Sequence, residues 1–206
     1  HQFKGLIESI DKFNNNEENH LFLFRLILHI SGNHYRPPDF FEKLEKICQI
    51  LFKKYTLTFS VYLRHIDAYL EFNWLFIYFL IDKNILKVDS YFLNIFFEQR
   101  KKNRKFFYYF YPLMKRFLKE NAQEQIEKEI YEKFNYDIDS FEEKCRIGQN
   151  DFYVCSLIRN DSVKEFIYYV NKTNLYLESK VRGSIFETNL FLTYKEISLI
   201  EYAAFF

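Results

Sequence analysis

The chain's five histidines, His1, His20, His29, His34 and His65, are its candidate metal ligands. His29 and His34 lie five apart with Gly32 between them. No second pair and no cysteine partner stands at the spacing a zinc site uses, so no metal site is expected. His65 and Asp67 are close in sequence but point to different sides of a helix, and they form no acid–base dyad. The three cysteines, Cys48, Cys145 and Cys155, are an odd number without a C-x-x-C pair. That usage fits reduced, buried thiols in an intracellular, cytoplasmic protein rather than a disulfide framework. G-x-S-x-G, G-x-x-x-x-G-K-[ST] and H-E-x-x-H are all absent, and four scattered glycines cannot build a phosphate cradle. The carboxylates Glu127, Glu129, Asp137 and Asp139 share a polar face, the arrangement of solvated charges. No catalytic, cofactor-binding or metal-ligating residue is assigned, and a non-catalytic protein is expected.

The charges are segregated along the chain. Arg100, Lys101, Lys102, Arg104, Lys105, Lys115, Arg116 and Lys119 form a basic stretch with no acidic residue in it. Residues 120–143 then carry nine carboxylates (Glu120, Glu124, Glu127, Glu129, Glu132, Asp137, Asp139, Glu142, Glu143) and two lysines. Arg100–Lys105 run into the aromatics 106–111, which gives an alternative function: a basic–aromatic helical module touching nucleic-acid or membrane phosphates through residues 100–111. Against it stands the overall balance, 29 Lys+Arg to 28 Asp+Glu, because basic strips that bind RNA belong to basic domains. The competing expectation is that the two segments neutralise each other across a helix–helix turn while the rings fill the core. The 26 Phe and 17 Tyr are likewise read as core packing rather than a cofactor cavity.

These residues must be positioned by helices. The 206 residues fit one domain or two small ones, and 49% hydrophobic residues exclude global disorder. Four Gly and three Pro are too few for a turn-dense sandwich, a barrel or a nucleotide-binding parallel sheet. Apolar positions recur at helical spacing nearly throughout, so the fold class is all-α, an antiparallel helical stack. Phe3, Leu6, Ile7, Ile10 and Phe13 mark a first helix. Residues 20–30 form one apolar on most sides and therefore central, and Phe40, Leu44, Ile47, Cys48 and Leu51 face the core from a third. A fourth runs from Thr56 or Thr58 to Phe72 and a fifth from Trp74 to Lys83, capped by Asn73. Asp89 or Ser90 caps a sixth carrying Phe92, Leu93, Phe96 and Phe97. Pro112 kinks or restarts the helix over 104–119. Ile126, Ile130 and Phe134 define a buried face, and Asp139 caps a segment ending at Gly148. The longest apolar runs fall far short of the ~20 residues of a spanning helix, so no transmembrane segment is expected. The chain opens at His1 inside an amphipathic pattern, as a chain cut at both ends would.

The last third carries the sharpest pattern. Residues 157–170, Leu-Ile-Arg-Asn-Asp-Ser-Val-Lys-Glu-Phe-Ile-Tyr-Tyr-Val, read as helix, tight turn, helix. The stretch resembles the ankyrin pattern A-A-x-x-G-x-x-x-x-V-x-x-L-L. Leu157 and Ile158 stand at the paired alanines and Asp161 at the turn glycine, with Phe166, Tyr169 and Val170 at the second-helix core positions. Residues 198–206, Ser-Leu-Ile-Glu-Tyr-Ala-Ala-Phe-Phe, resemble the opening T-P-L-H-x-A-A of a following repeat, with Ala203-Ala204 kept. From Phe141 onward the chain is similar to a large protist family in which a Phe/Tyr/Asn-rich helical region precedes an ankyrin array. Leu157 and Ala203 lie 46 residues apart against a repeat of about 33, so the excess falls in a loop over 172–197. With no glycine, Asp161 must make the turn in another way, for instance as an N-cap.

The resemblance implies an N-terminal helical region, 1–148, running into degenerate ankyrin-like helix pairs over 149–206, an α-solenoid. It implies a protein–protein interaction scaffold with unidentified protein partners and no small-molecule substrate. Ankyrin partners are read by variable positions, so it brings no binding residues with it. A terminal helix of such an array lacks its neighbour, and Ala203, Ala204, Phe205 and Phe206 should be under-packed.

Overall fold

A computed structural model describes residues 74–193 and 196–206, together with 43–49 and positions 22, 26, 27 and 31. The helices expected over 1–13 and 56–72, and the cap Asn73, lie outside the described residues. All five histidines do too, as do Phe40 and Leu51. The described chain is helical with no strand, and one isolated antiparallel bridge joins Lys180 to Ser198. Two compact units divide it, His1–Tyr91 and Phe92–Phe206. The second unit spans the 148/149 boundary suggested by the sequence.

In the first unit, residues 43–49 are helical and bury Leu44, Ile47 and Cys48, as the i, i+3, i+4 spacing requires. The helix read as central over 20–30 is one-sided where it is described. Ile27 is buried, but Phe22 and Leu26, four residues apart and so on one face, are exposed. Helix α1 (Trp74–Asp82) buries Leu75, Phe76, Ile77, Tyr78, Leu80 and Ile81, which covers all sides of it. It stops at Asn84, whose left-handed φ of 54° lets the following amide, that of Ile85, reach back to the Leu80 carbonyl at 2.9 Å.

The second unit is built on aromatic rings. Helix α2 (Ser90–Lys102) starts one residue after Asp89 and buries Phe92 and Phe96, while Phe97 is exposed. Its partner α3 (Arg104–Met114) opens at Asn103, whose side chain accepts the Phe106 amide. Phe96 stacks on Phe107 at 4.6 Å, and Phe92 meets Phe110 edge-on at 5.8 Å. Pro112 neither restarts nor halts α3. It sits inside the last turn, and the helix runs to Met114 before tightening into a 3₁₀ turn, Lys115–Phe117.

Helix α4 (Glu120–Phe134) buries Ile126 and Ile130, with Phe134 half-buried between Tyr108 and Phe141. Helix α5 (Ile138–Ile147) is capped by Asp137, whose carboxylate accepts the Ser140 amide at 2.9 Å. The cap assigned to Asp139 is therefore two residues too late: Asp139 lies inside the first turn, where a carboxylate still complements the helix dipole. Gly148 ends α5 in the left-handed conformation expected of it, φ 63°. Beyond it come α6 (Tyr153–Arg159), α7 (Val163–Thr173), the one-turn α8 (Leu190–Thr193) and α9 (Leu199–Phe205).

Candidate functional site

The catalytic possibilities resolve at the level of single groups. Cys48, Cys145 and Cys155 are free, fully buried thiols. Burial pushes Cys48 up to about 12, Cys155 to about 11 and Cys145 well above its ordinary value, so none offers a thiolate at neutral pH. Among the described residues no group of three or more His, Cys, Asp or Glu is placed to hold a metal ion.

Part of the basic strip is tied down, while Lys101, Arg104, Arg116 and Lys119 are exposed. Arg100 reaches Glu129 at 3.1 Å and Lys115 reaches Glu127 at 2.7 Å, so cations flanking α3 meet the acidic helix that follows. Lys102 pairs with Glu98 one turn back on its own helix. Lys105 points inward and donates to the Glu187 backbone carbonyl at 2.9 Å, and burial lowers its pKa. The rings Phe106–Tyr111 are all buried, so no base can stack on them in this conformation. Three of their hydroxyls work inside the fold. Tyr108 donates to Glu129 and Tyr111 to Glu127, and Tyr109 donates to the Cys145 carbonyl at 2.7 Å. Lys133 also donates to Tyr108 and lies 4.7 Å above its ring.

The helix pair read from 157–170 is present. Helix α6 ends in a turn in which the Ser162 amide bonds the Leu157 carbonyl at 2.9 Å and the Asp161 amide bonds that of Ile158 at 3.1 Å. These are the two bonds of a Schellman turn, which needs a left-handed residue between the helices. Asp161 supplies it with φ 50°. It does not act as the N-cap expected of it. It takes the glycine's conformation itself, which an aspartate tolerates better than most side chains. The second-helix positions fall short of a core: Phe166, Tyr169 and Val170 are half-buried, and α7 buries no residue fully.

Helix α9 lies against α6. Cys155, Leu192, Ile197 and Tyr202 form their shared core, with Phe152, Ile158 and Phe205 packed around it. Arg159 donates to the Tyr202 hydroxyl at 2.6 Å. Ser198 caps α9 in a full capping box: its hydroxyl accepts the Glu201 amide, and the Glu201 carboxylate accepts the Ser198 amide. The next two amides, of Leu199 and Ile200, donate to the carbonyls of Ser179 and Leu177. Outward, α9 exposes Ile200, Ala203 and Ala204, with Leu177 exposed beside Ile200.

Sequence reasoning missed the segment 184–189. It lies within the loop read over 172–197, and Ser184, Phe186, Glu187, Thr188 and Asn189 are buried there. The Glu187 carboxylate accepts the amides of Asn150 at 3.1 Å and Asn189 at 2.8 Å. Thr188 donates to the Gly148 carbonyl, and Phe186 packs on Phe141 and Tyr136. Asp151 accepts from both Tyr136 and Ser184, and burial with that bond pushes the Tyr136 phenol up to about 12. The segment fastens the helix pair to α5. Its trace in the sequence is Asn150, Ser184 and Asn189, each accepting the amide two residues on, the habit of turn-forming side chains.

No helix among the described residues is long and apolar enough to cross a membrane. No protein-family model, no curated protein and no solved structure matches the chain.

Proposed function

We propose that the chain is a non-catalytic protein–protein interaction scaffold, a helical region running into degenerate ankyrin-like helix pairs. One observation carries the reading. The hairpin α6–turn–α7 closes through a left-handed residue where the ankyrin pattern has glycine, and the capped helix α9 packs on α6 as the first helix of a following pair would. Stacked pairs of this kind bury one face against each neighbour, and α9 has a face left over, Ile200, Ala203 and Ala204. The proposed division is a helical region, 1–148, and the helix-pair module, 149–206. The three reduced thiols suit an intracellular, cytoplasmic setting.

The test is capture of bound protein by the immobilised chain, comparing wild type with the double variant Ile200→Glu, Ala204→Glu. Both positions are exposed, so the melting midpoint should hold while retention of a specific protein is lost. Retention of RNA that weakens with salt and vanishes on Lys101→Glu, Lys102→Glu and Arg104→Glu would overturn the proposal in favour of the basic–aromatic alternative.

A further inference from the structure

We infer that the groove between α7 and the start of α6 takes an extended acidic segment of a partner protein; this rests on the scaffold reading and deepens it by naming a surface and a partner class. The groove is open, has a volume of about 530 Å³ and is lined by Tyr153, Lys164, Glu165, Tyr168, Tyr169, Lys172 and Thr173, whose hydroxyl donates to the Tyr169 carbonyl. Two ammonium groups and three phenol hydroxyls face one carboxylate there. An ammonium can only donate, and a phenol donates readily to a carboxylate, so the lining is rich in donors and poor in acceptors. Within the described residues none of these five groups meets a hydrogen-bond acceptor, and neither lysine meets a carboxylate. Lys172 instead sits 5.7 Å above the Tyr168 ring, and Tyr153 meets Tyr169 edge-on at 5.3 Å. The three rings thus give the groove an aromatic wall, with the Lys172 ammonium over one of them. A ligand that completes this lining brings carboxylates for the lysines and hydroxyls, and a flat backbone for the rings.

Spacing sets the form of that ligand. Lys164 and Lys172 are eight residues apart on α7, about 12 Å along its axis. An extended chain covers that distance in about four residues, an even number, which returns its side chains to the same face. Acidic residues four apart in an extended segment therefore reach both lysines. This groove is separate from the outward face of α9, so the two can be tested apart.

The experiment is fluorescence anisotropy of the full chain with a fluorescein-labelled peptide of alternating glutamate and serine. A lysine–serine peptide, single-stranded RNA and phosphatidylserine vesicles serve as comparison probes. The glutamate peptide should bind, weaken with added salt, and lose at least about tenfold in affinity on Lys164→Glu with Lys172→Glu, while the lysine peptide gains on that variant. Tyr168→Phe, which removes a hydroxyl and keeps the ring, should weaken it less. No binding of the glutamate peptide, or equal binding by the double variant, overturns the inference. So does preferential binding of RNA or vesicles that the double variant loses, or a groove-dependent self-association seen by sedimentation. The Ile200→Glu, Ala204→Glu variant should keep the peptide. If the peptide fails while protein capture through α9 persists, the groove assignment falls and the scaffold proposal stands. If capture fails and peptide binding persists, the reverse holds.

Discussion

Asparagine and aspartate do at the helix ends what glycine does elsewhere. Asn84, Asn135, Asp161 and Asn174 all take positive φ, and Gly148 is the one glycine among the described residues to do so. A chain with four glycines can thus still turn sharply, because short polar side chains tolerate the left-handed region. At Asp161 that conformation was hidden in the sequence: aspartate is a common N-cap, and nothing local says that the turn is closed from the carbonyl side of α6. Replacing Asp161 with Val should cost roughly 1–2 kcal/mol, since a β-branched residue is a poor left-handed residue, whereas Asp161→Gly should be neutral or gain up to about 0.5 kcal/mol, the relieved strain offset by unfolded-state entropy. Urea unfolding of both variants checks this; equal midpoints for Val and Gly would remove the left-handed requirement. Glu187 is the opposite case, a charge within the stretch read as a loop over 172–197 that the fold buries. Glu187→Ala strands the amides of Asn150 and Asn189, and at about 1–3 kcal/mol for each unsatisfied buried group the unfolding free energy should fall by about 2–6 kcal/mol.

Among the elements, the helices were legible and the way they are joined was less so. Periodicity located α4 and α5 because each has a buried face at helical spacing, whereas the α6–α7 hairpin was read from its likeness to the ankyrin pattern. It missed the burial of 184–189, since that segment buries polar groups that are satisfied by backbone partners rather than by an apolar face. The charged pairs that Arg100 of α2 and Lys115 of the 3₁₀ turn make with α4 follow from the segregated charges, and the Glu129 pair sets a pH dependence. Partial burial of Glu129 raises its pKa, but hydrogen bonds from Tyr108 and Arg100 and the charges of Arg100 and Lys133 outweigh this, so its net pKa lies below the usual 4.5. A depressed folded-state value stabilises the protein above 4.5, and that contribution is lost as the pH falls through the folded value. The acid side of a melting-midpoint profile should therefore be flatter for Glu129→Gln than for wild type, and parallel profiles would contradict the assignment. The rings weigh more than the charges. Phe141, buried between Phe134 and Phe186, should cost about 3–5 kcal/mol on replacement by Ala, against about 0–1 kcal/mol for Arg100→Ala at the exposed pair with Glu129.

For the whole molecule, the sequence carried the all-α fold class, while the 184–189 fastening emerged only in three dimensions. On the proposed ankyrin-like reading, the 46 residues from Leu157 to Ala203 exceed a repeat of about 33, and part of that excess folds back as a buried segment and the short helix α8. The central claim is that α9 is the first helix of a repeat-like pair, with its outward face shaped for a stacked neighbour. The most direct measurement grafts one consensus ankyrin repeat onto Phe206, in register with Ala203-Ala204, and follows thermal unfolding. A neighbour that packs on Ile200, Ala203 and Ala204 adds an interface term, so the account predicts one cooperative transition with its midpoint raised by about 5 °C or more, and lost on Ile200→Glu. An unchanged or lowered midpoint, or a graft that melts separately from the rest of the chain, would contradict it.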